Sequence, residues 1–366
     1  MRVWSKTLPQ GWEIVRVKDI FKVTRGKVLA VPKMKQAKSE EYVYPVFSSQ
    51  TANNGLTGFY TEYLFENAIT WTTDGHYAGD VNFRQGKFYC TNVCGVLLNN
   101  EGYANRCVAE ILNAQTRKYV TYAGNPKLMN NVMAEIPILL PPLEEQEKIA
   151  EILNLWDAQI AEVQDLIYHK QRLKTGLMQK LFTQSLRFKG FAESWSKVRL
   201  GDITEIKRGQ TITEATRIDG DIPVIAGGKQ PAYFCDRYNR TGENITISSS
   251  GTAGFVNYFA TPIFASDCFT IQGLENLAIT KYLYYYLKSI QNKIYSLQSG
   301  SVQTHVYPSD MEGMRLHLPP LKEQEKIAEI LSVADEEIEL LVQKHQALET
   351  QKRALMQRLL TGKVRV

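Results

Sequence analysis

The chain has 366 residues, 44% of them hydrophobic and 22% charged. That is too long for one ordinary domain and far from the composition of a disordered chain. A formal net charge of +5 is a mild basic bias, shared by nucleic-acid binders and many soluble enzymes, and no run of about 18 apolar residues is present to cross a membrane.

The first residues, Met1-Arg2-Val3-Trp4-Ser5-Lys6, lead into no apolar run, so no secretory leader is expected. Residues 1–141 then read as a first mixed α/β domain, with strand-like stretches at 13–17 and 69–72 separated by polar, turn-rich loops. Within it Cys90 and Cys94 are spaced for a metal, but no second pair accompanies them. With Cys107, Cys235 and Cys268 they make an odd set of five, which fits buried, reduced thiols in a cytoplasmic protein.

Residues 142–185 read as one long helix. It opens on Pro141-Pro142 and carries Glu144, Glu145 and Glu147 in its first turns and Lys170, Arg172, Lys174 and Lys180 toward its end, the favourable sign at each pole of the helix dipole. Ile149, Leu153, Trp156, Ile160, Val163, Ile167, Leu177 and Leu181 recur in steps of three and four, with Lys170 and Lys174 interrupting the stripe. Residues 186–319 read as a second mixed α/β domain, with a strand at 244–247 and a helix within 279–295. Residues 320–366 supply a second long helix, whose apolar beat is Ile327, Leu331, Ala334, Ile338, Leu341, Leu348, Leu355 and Leu359.

The second half repeats the first. The run from Pro141-Pro142-Leu143 through Glu145-Gln146-Glu147-Lys148-Ile149-Ala150-Glu151-Ile152-Leu153 returns from Pro319 to Leu331, changed only where Glu144 becomes Lys322. Leu143 and Leu321 fix the offset at 178 residues, which still holds at Leu177-Met178-Gln179 and Leu355-Met356-Gln357. The globular parts match more loosely: Trp12 to Gly26 resembles Trp195 to Gly209, and Ala78-Gly79 with Val81-Asn82 resembles Ala253-Gly254 with Val256-Asn257. Duplication with a preserved helix and diverged globular parts implies two halves that share a scaffold and differ in what they contact. A helix of about 40 residues spans roughly 60 Å. With so narrow an apolar seam it needs a partner, either the other copy in an antiparallel coiled coil or its own globular domain.

The loops carry the chemistry. Amides and hydroxyls can address base edges, and cations can hold phosphates. The candidates for DNA contact in the first domain are Arg25, Lys27, Lys33, Lys35, Gln50, Thr51, Asn53, Asn54, Thr73, His76 and Tyr77. In the second they are Arg208, Gln210, Lys229, Gln230, Ser249, Ser250, Thr252, Ser299, Ser301, Gln303 and Thr304. The bland alternative for each is a solvated turn. Catalytic signatures are missing: the Gly-Lys pairs at Gly26, Gly86, Gly228 and Gly362 are never followed by Ser or Thr, so there is no Walker A loop. No cofactor-cradling glycine loop or nucleophilic triad spacing is seen, and Glu205-Ile206-Lys207 lacks the upstream aspartate of a nuclease metal site.

The doubled Leu-Pro-Pro-Leu-x-Glu-Gln-Glu-Lys-Ile-Ala-Glu-Ile-Leu run resembles the conserved regions of type I restriction–modification specificity subunits. So do the entry segments Gly11-Trp12-Glu13 and Arg187-Phe188-Lys189-Gly190-Phe191 and the Leu-Met-Gln-Lys/Arg-Leu near each helix end. The resemblance implies an α+β chain: two target recognition domains separated by two antiparallel coiled-coil helices in a pseudo-twofold repeat. It also implies double-stranded DNA and methyltransferase subunits as partners, with restriction subunits as a further partner. S-adenosylmethionine, ATP and Mg would reside in those subunits, leaving this chain non-catalytic. Two other readings stand beside it, a protein-binding scaffold with two diverged domains and a stand-alone modification enzyme. The family's base-contacting residues vary with the target, so none is carried over.

Overall fold

The computed structural model describes residues 8–49, 52–212, 218–300 and 303–366. They form two compact units, one of Met1–Glu162 with His345–Val366, the other of Val163–Lys344. The division therefore cuts each long helix in two.

Unit 1 runs β1 (Glu13–Arg16), α1 (Val17–Ile20), β2 (Lys22–Arg25), β3 (Tyr44–Phe47), β4 (Leu56–Tyr60), β5 (Phe65–Thr72), β6 (Val81–Cys90), β7 (Cys94–Leu98), α2 (Arg106–Asn113), α3 (Asn130–Ala134), β8 (Pro137–Leu140) and the first part of α4 (Leu143–Phe182). Its main sheet has the order β2-β7-β5-β6-β3-β4. Every pairing is antiparallel except β3 with β6, which meet in parallel at Val46–Tyr89 and Phe47–Cys90. The period of two decides what each face holds. In β5, Ile69 and Trp71 face the larger core with α2 residues such as Val108 and Leu112. Ala68 faces a smaller cluster with Phe88, Cys90, Cys94 and Val96. Trp71 donates its indole N–H to Leu128 O at 3.0 Å, and it lies opposite Gly95 in the ladder. A Cβ on Gly95 would stand 2.1 Å from the indole ring, so the tryptophan requires the glycine.

Unit 2 takes the second part of α4, then β9 (Ser196–Arg199), α5 (Leu200–Ile203), β10 (Thr204–Arg208), β11 (Ile222–Ile225), β12 (Tyr233–Cys235), β13 (Asn244–Ser248), β14 (Val256–Phe259), β15 (Phe264–Ala265), β16 (Cys268–Gly273), α6 (Thr280–Ser289), α7 (Gln291–Tyr295), α8 (Pro308–Glu312), β17 (Arg315–Leu318) and the first part of α9 (Leu321–Leu359). The same plan recurs with its sheet split. A four-stranded sheet β10-β16-β13-β14 stands for β2-β7-β5-β6, and β12-β11-β15 keeps the parallel pairing, now β11 with β15. Where unit 1 places Trp71 opposite Gly95, unit 2 places Ile247 opposite Phe269. The volume has moved from one strand to its neighbour, which is how a core accommodates divergence at constant packing density.

Each long helix is tied to its globular part at its first turn. β8 pairs with β1, and β17 with β9, and each leads through Pro-Pro into its helix. The carbonyls of Pro142 and Pro320 accept the first helical N–H groups, at 2.9–3.0 Å. Glu145 then accepts the indole N–H of Trp12 at 2.8 Å and a bidentate fork from Arg365 at 2.7 and 2.8 Å. Glu323 repeats the arrangement, with Trp195 at 3.0 Å and Arg187 at 3.0 and 2.8 Å. The neighbouring glutamines are wholly buried. Gln146 accepts from Asn105 and donates to Pro141 O, both at 2.7 Å. Gln324 accepts from Ile279 N at 2.8 Å and donates to Pro319 O at 2.9 Å. The Glu-Gln of the repeated motif is thus a clamp that satisfies buried polar groups on both sides of the junction.

Within each unit the two helix portions run antiparallel. In unit 1, Asp157 of α4 is paired with Lys352 of α9. In unit 2, Lys174 is paired with Asp335, and Lys170 with Glu337 at 2.6 Å, so that as one number falls the other rises. Lys170 and Lys174, which break the apolar stripe in sequence, therefore belong to the seam and fill it with charge. The sequence cannot show this because it depends on the acids of the other helix. Of the apolar stripe, Ile149, Leu153 and Leu359 are buried in the core of unit 1 and Leu181, Ile327 and Leu331 in that of unit 2, so the helix ends pack on the globular parts. Val163, Ile167 and Leu348 are also buried, and Trp156, Ile160, Leu177, Ile338, Leu341 and Leu355 partly so.

Candidate nucleic-acid interface

In both units the loops beyond the core strands are stitched together by backbone bonds. In unit 1 the loop after β5 meets the segment before α3: Leu128 N donates to Thr73 O at 2.9 Å and Gly75 N to Pro126 O at 2.9 Å. In unit 2 the loop after β13 does the same with the segment before α8, Val306 N donating to Ser249 O at 3.2 Å. Thr252 also ties that loop to the one after β11, its N–H and hydroxyl both donating to Gly227 O at 2.8 Å. The loops around 227–230 and 249–252 and the residues at 305–306 are thus joined to one another.

Among the unit 1 candidates, Arg25, Lys27, Lys33, Lys35, Asn53, Asn54, His76 and Tyr77 are exposed. Asn53 and Asn54 adopt φ of 50° and 52°, a left-handed conformation that asparagine tolerates better than most residues. His76 and Tyr77 pack edge to face with ring centroids 4.8 Å apart. Thr73 is different. It is fully buried, with its hydroxyl on Val93 O at 2.9 Å and on Asp74 at 2.6 Å, so it presents nothing to a partner. In unit 2, Arg208, Gln210, Lys229, Gln230, Ser299 and Gln303 are exposed, and Ser249, Thr252 and Thr304 are half-buried. Ser250 is buried, its hydroxyl held by Asp267. In both cases an internal acceptor has captured a hydroxyl that loop chemistry alone would assign to a partner. Gln50, Thr51 and Ser301 lie outside the described residues.

Two features escaped the sequence reading. One is the segment around Arg117, Lys118, Tyr122 and Lys127, all exposed, where the bridge of Thr121 with Lys127 matches that of Ser299 with His305 in unit 2. The repeat itself was the signal that could have found it. The other is a polar cleft of about 290 Å³ lined by residues that include Asn54, Thr70, Asn82, Arg84 and Arg117. Arg84 lies on β6 with only 8% of its surface exposed. Its Nε donates to the Thr70 hydroxyl at 3.0 Å, and the guanidinium stacks 3.8 Å from the Phe47 ring centroid. No carboxylate pairs with it among the described residues. Asp80, which shares the cleft, accepts instead from Arg117 at 2.8 Å. Burial lowers the Arg84 pKa to about 10, which leaves it charged at neutral pH.

The cysteines are all free and buried. Burial, with Cys94 nearby, raises the Cys90 thiol, and burial raises Cys94 to about 11. Among the described residues no group of three or more His, Cys, Asp or Glu is placed to hold a metal. Glu205 pairs with its own neighbour Lys207 at 2.7 Å. No helix among the described residues is long and apolar enough to cross a membrane.

The profile of the type I restriction modification DNA specificity domain matches the chain twice, at residues 9–167 and 192–350. A Mycoplasma pneumoniae chain named as a type I specificity subunit is 29% identical over 331 residues, 86% of this chain and 87% of that one. The MjaVIII specificity subunit of a type I restriction enzyme from Methanocaldococcus jannaschii is 25% identical over 414 residues, 98% of this chain and 94% of the other. In fold, the crystal structure of a type I restriction–modification S subunit from M. genitalium superposes with a TM-score of 0.71 at 18% identity, covering 96% of this chain and 99% of that one. With the matched profile spanning most of its length in two copies, this chain belongs to the family of type I restriction–modification DNA specificity subunits.

Proposed function

We propose that each unit reads one half of a bipartite DNA target, and that α4 and α9 dock methyltransferase subunits that do the chemistry. One observation carries this reading. The clamp of tryptophan, glutamate and arginine recurs in both units, while the stitched loops beyond the core, apart from the Ala-Gly at 78–79 and 253–254, differ in sequence. A scaffold held constant beneath divergent loops suits two readers of different half-sites. Linking two weak readers multiplies affinity only where the spacing of half-sites fits the connection.

The helices supply the docking surface in this proposal. Leu155 on α4 and Val333 on α9 occupy equivalent positions of the repeat, and both are exposed. Two equal apolar footholds fit two equal methyltransferase subunits. S-adenosylmethionine would be bound by those subunits, and ATP and Mg by restriction subunits where these join.

The test is a map of methylated adenines in cells with and without the gene. A two-part motif that disappears with the gene is expected, and an unchanged methylation pattern overturns the proposal. Inserting one helical turn, about 5.4 Å, into both α4 and α9 is expected to shift the preferred gap by one or two base pairs.

A further inference from the structure

The Arg84 cleft asks for a ligand that the fold does not supply. A mostly buried cation with no carboxylate beside it is poorly compensated, and its terminal N–H groups have no protein partner among the described residues. Phe47 covers one face of the guanidinium and Thr70 takes Nε. What remains free is the fork, which matches two oxygens of one anion. A neutral base edge would accept those bonds but leave the charge uncompensated, whereas a phosphate satisfies both.

Resting on the DNA-reading function above, we propose that the Arg84 cleft of unit 1 seats one phosphate of the DNA backbone, and that this contact fixes where the unit stands along its half-site. Asn82 and Asn54 on the cleft wall offer amide donors to the remaining oxygens. The position is peculiar to unit 1. The repeat places Phe259 where unit 1 has Arg84, and the nearest counterpart, Arg240, spends its fork on the carbonyls of Asn239 and Arg208 at 2.8 and 2.6 Å.

The experiment uses the chain assembled with its methyltransferase subunits, as wild type and Arg84→Met, on target duplexes in which single phosphates are replaced one at a time by neutral methylphosphonate. Wild type is expected to lose roughly tenfold or more in affinity at one position of the first half-site, and Arg84→Met to lose nothing further there. Arg84→Met should also flatten the slope of log K against log salt by about 0.9, weaken matched and mismatched sites alike, and melt no lower than wild type. A lower melting point with an unchanged salt slope would mark Arg84 as merely structural. Relaxed preference at one base pair with the slope intact would make it a base reader. Either result overturns the assignment. An assembly whose wild type ignores DNA sinks the function it rests on instead.

Discussion

Glu145 and Glu323 stand 178 residues apart and meet the same two partners, an indole N–H and an arginine fork. Trp71 and Ile247 are equally matched by the repeat, yet one faces a glycine and the other a phenylalanine. Arg84 is matched by Phe259, which carries no charge. The contrast separates two kinds of constraint. At the helix junctions a buried charge must find the same partners in either copy or go unpaired, so the chemistry is frozen. Inside each sheet only total volume is constrained, and on the faces beyond it not even that.

The largest test of the contrast is at the junctions. Glu323→Gln takes the charge from a carboxylate that is itself 1% exposed and meets both Arg187 and Trp195, and the larger loss of stability is expected there. Glu145→Gln should cost less, because Arg365 is 43% exposed and solvent can replace its partner. Denaturant unfolding of both variants, followed by hydrogen exchange in each unit, should show the loss confined to the unit that carries the change. Equal losses would mean the two clamps are not graded by exposure.

A second test turns on volume. Gly95→Ala should destabilise unit 1 by about 1–3 kcal/mol through overpacking against Trp71, and the double change Gly95→Ala with Trp71→Leu should recover most of that in the same melting experiment. Failure of the rescue would show that backbone conformation, not ring contact, selects the glycine.

Acid offers a subtler distinction. Burial works against ionisation of Glu145, but the bonds from Arg365 and Trp12 win and hold its pKa below the ordinary carboxylate value. A depressed carboxylate contributes stability that is complete above its unfolded pKa of about 4.3 and is lost as pH falls through the folded value. Melting temperature should therefore drop below about pH 4 more steeply in wild type than in Arg365→Ala. Identical profiles would remove Glu145 from the acid response.

The smallest effect belongs to the seam. Lys174→Met should change stability by about 1 kcal/mol or less, because Asp335 is 41% exposed and keeps the Tyr285 hydroxyl at 2.8 Å. A loss several times larger would place the ion pair among the frozen contacts.

How far the sequence could be read follows the same division. The long helices and their doubling were legible because proline, charge polarity and apolar spacing are local signals. Glu145 was legible only as a favourable charge at a helix start. Its partners lie 133 and 220 residues away, and no local pattern announces them. The loop candidates rest on residue type, which cannot distinguish the buried hydroxyls of Thr73 and Ser250 from free ones. Arg84 gives no local signal, because it sits in a strand between Phe83 and Gln85, where a charge ordinarily points to water. Only the register that sets it beside Thr70 and under Phe47 reveals otherwise.

The two units also differ in how the chain delivers them. Unit 2 is one uninterrupted stretch, whereas unit 1 is closed by residues from His345 onward, including Leu359 and Leu360 in its core and Arg365 in its clamp. On a ribosome, where domains generally fold as they emerge, the first globular part must wait with its last core side chains missing until the whole of the second has been synthesised. The unit that begins first is the one that finishes last, so pulse-labelled nascent chains should acquire protease resistance in unit 2 before unit 1.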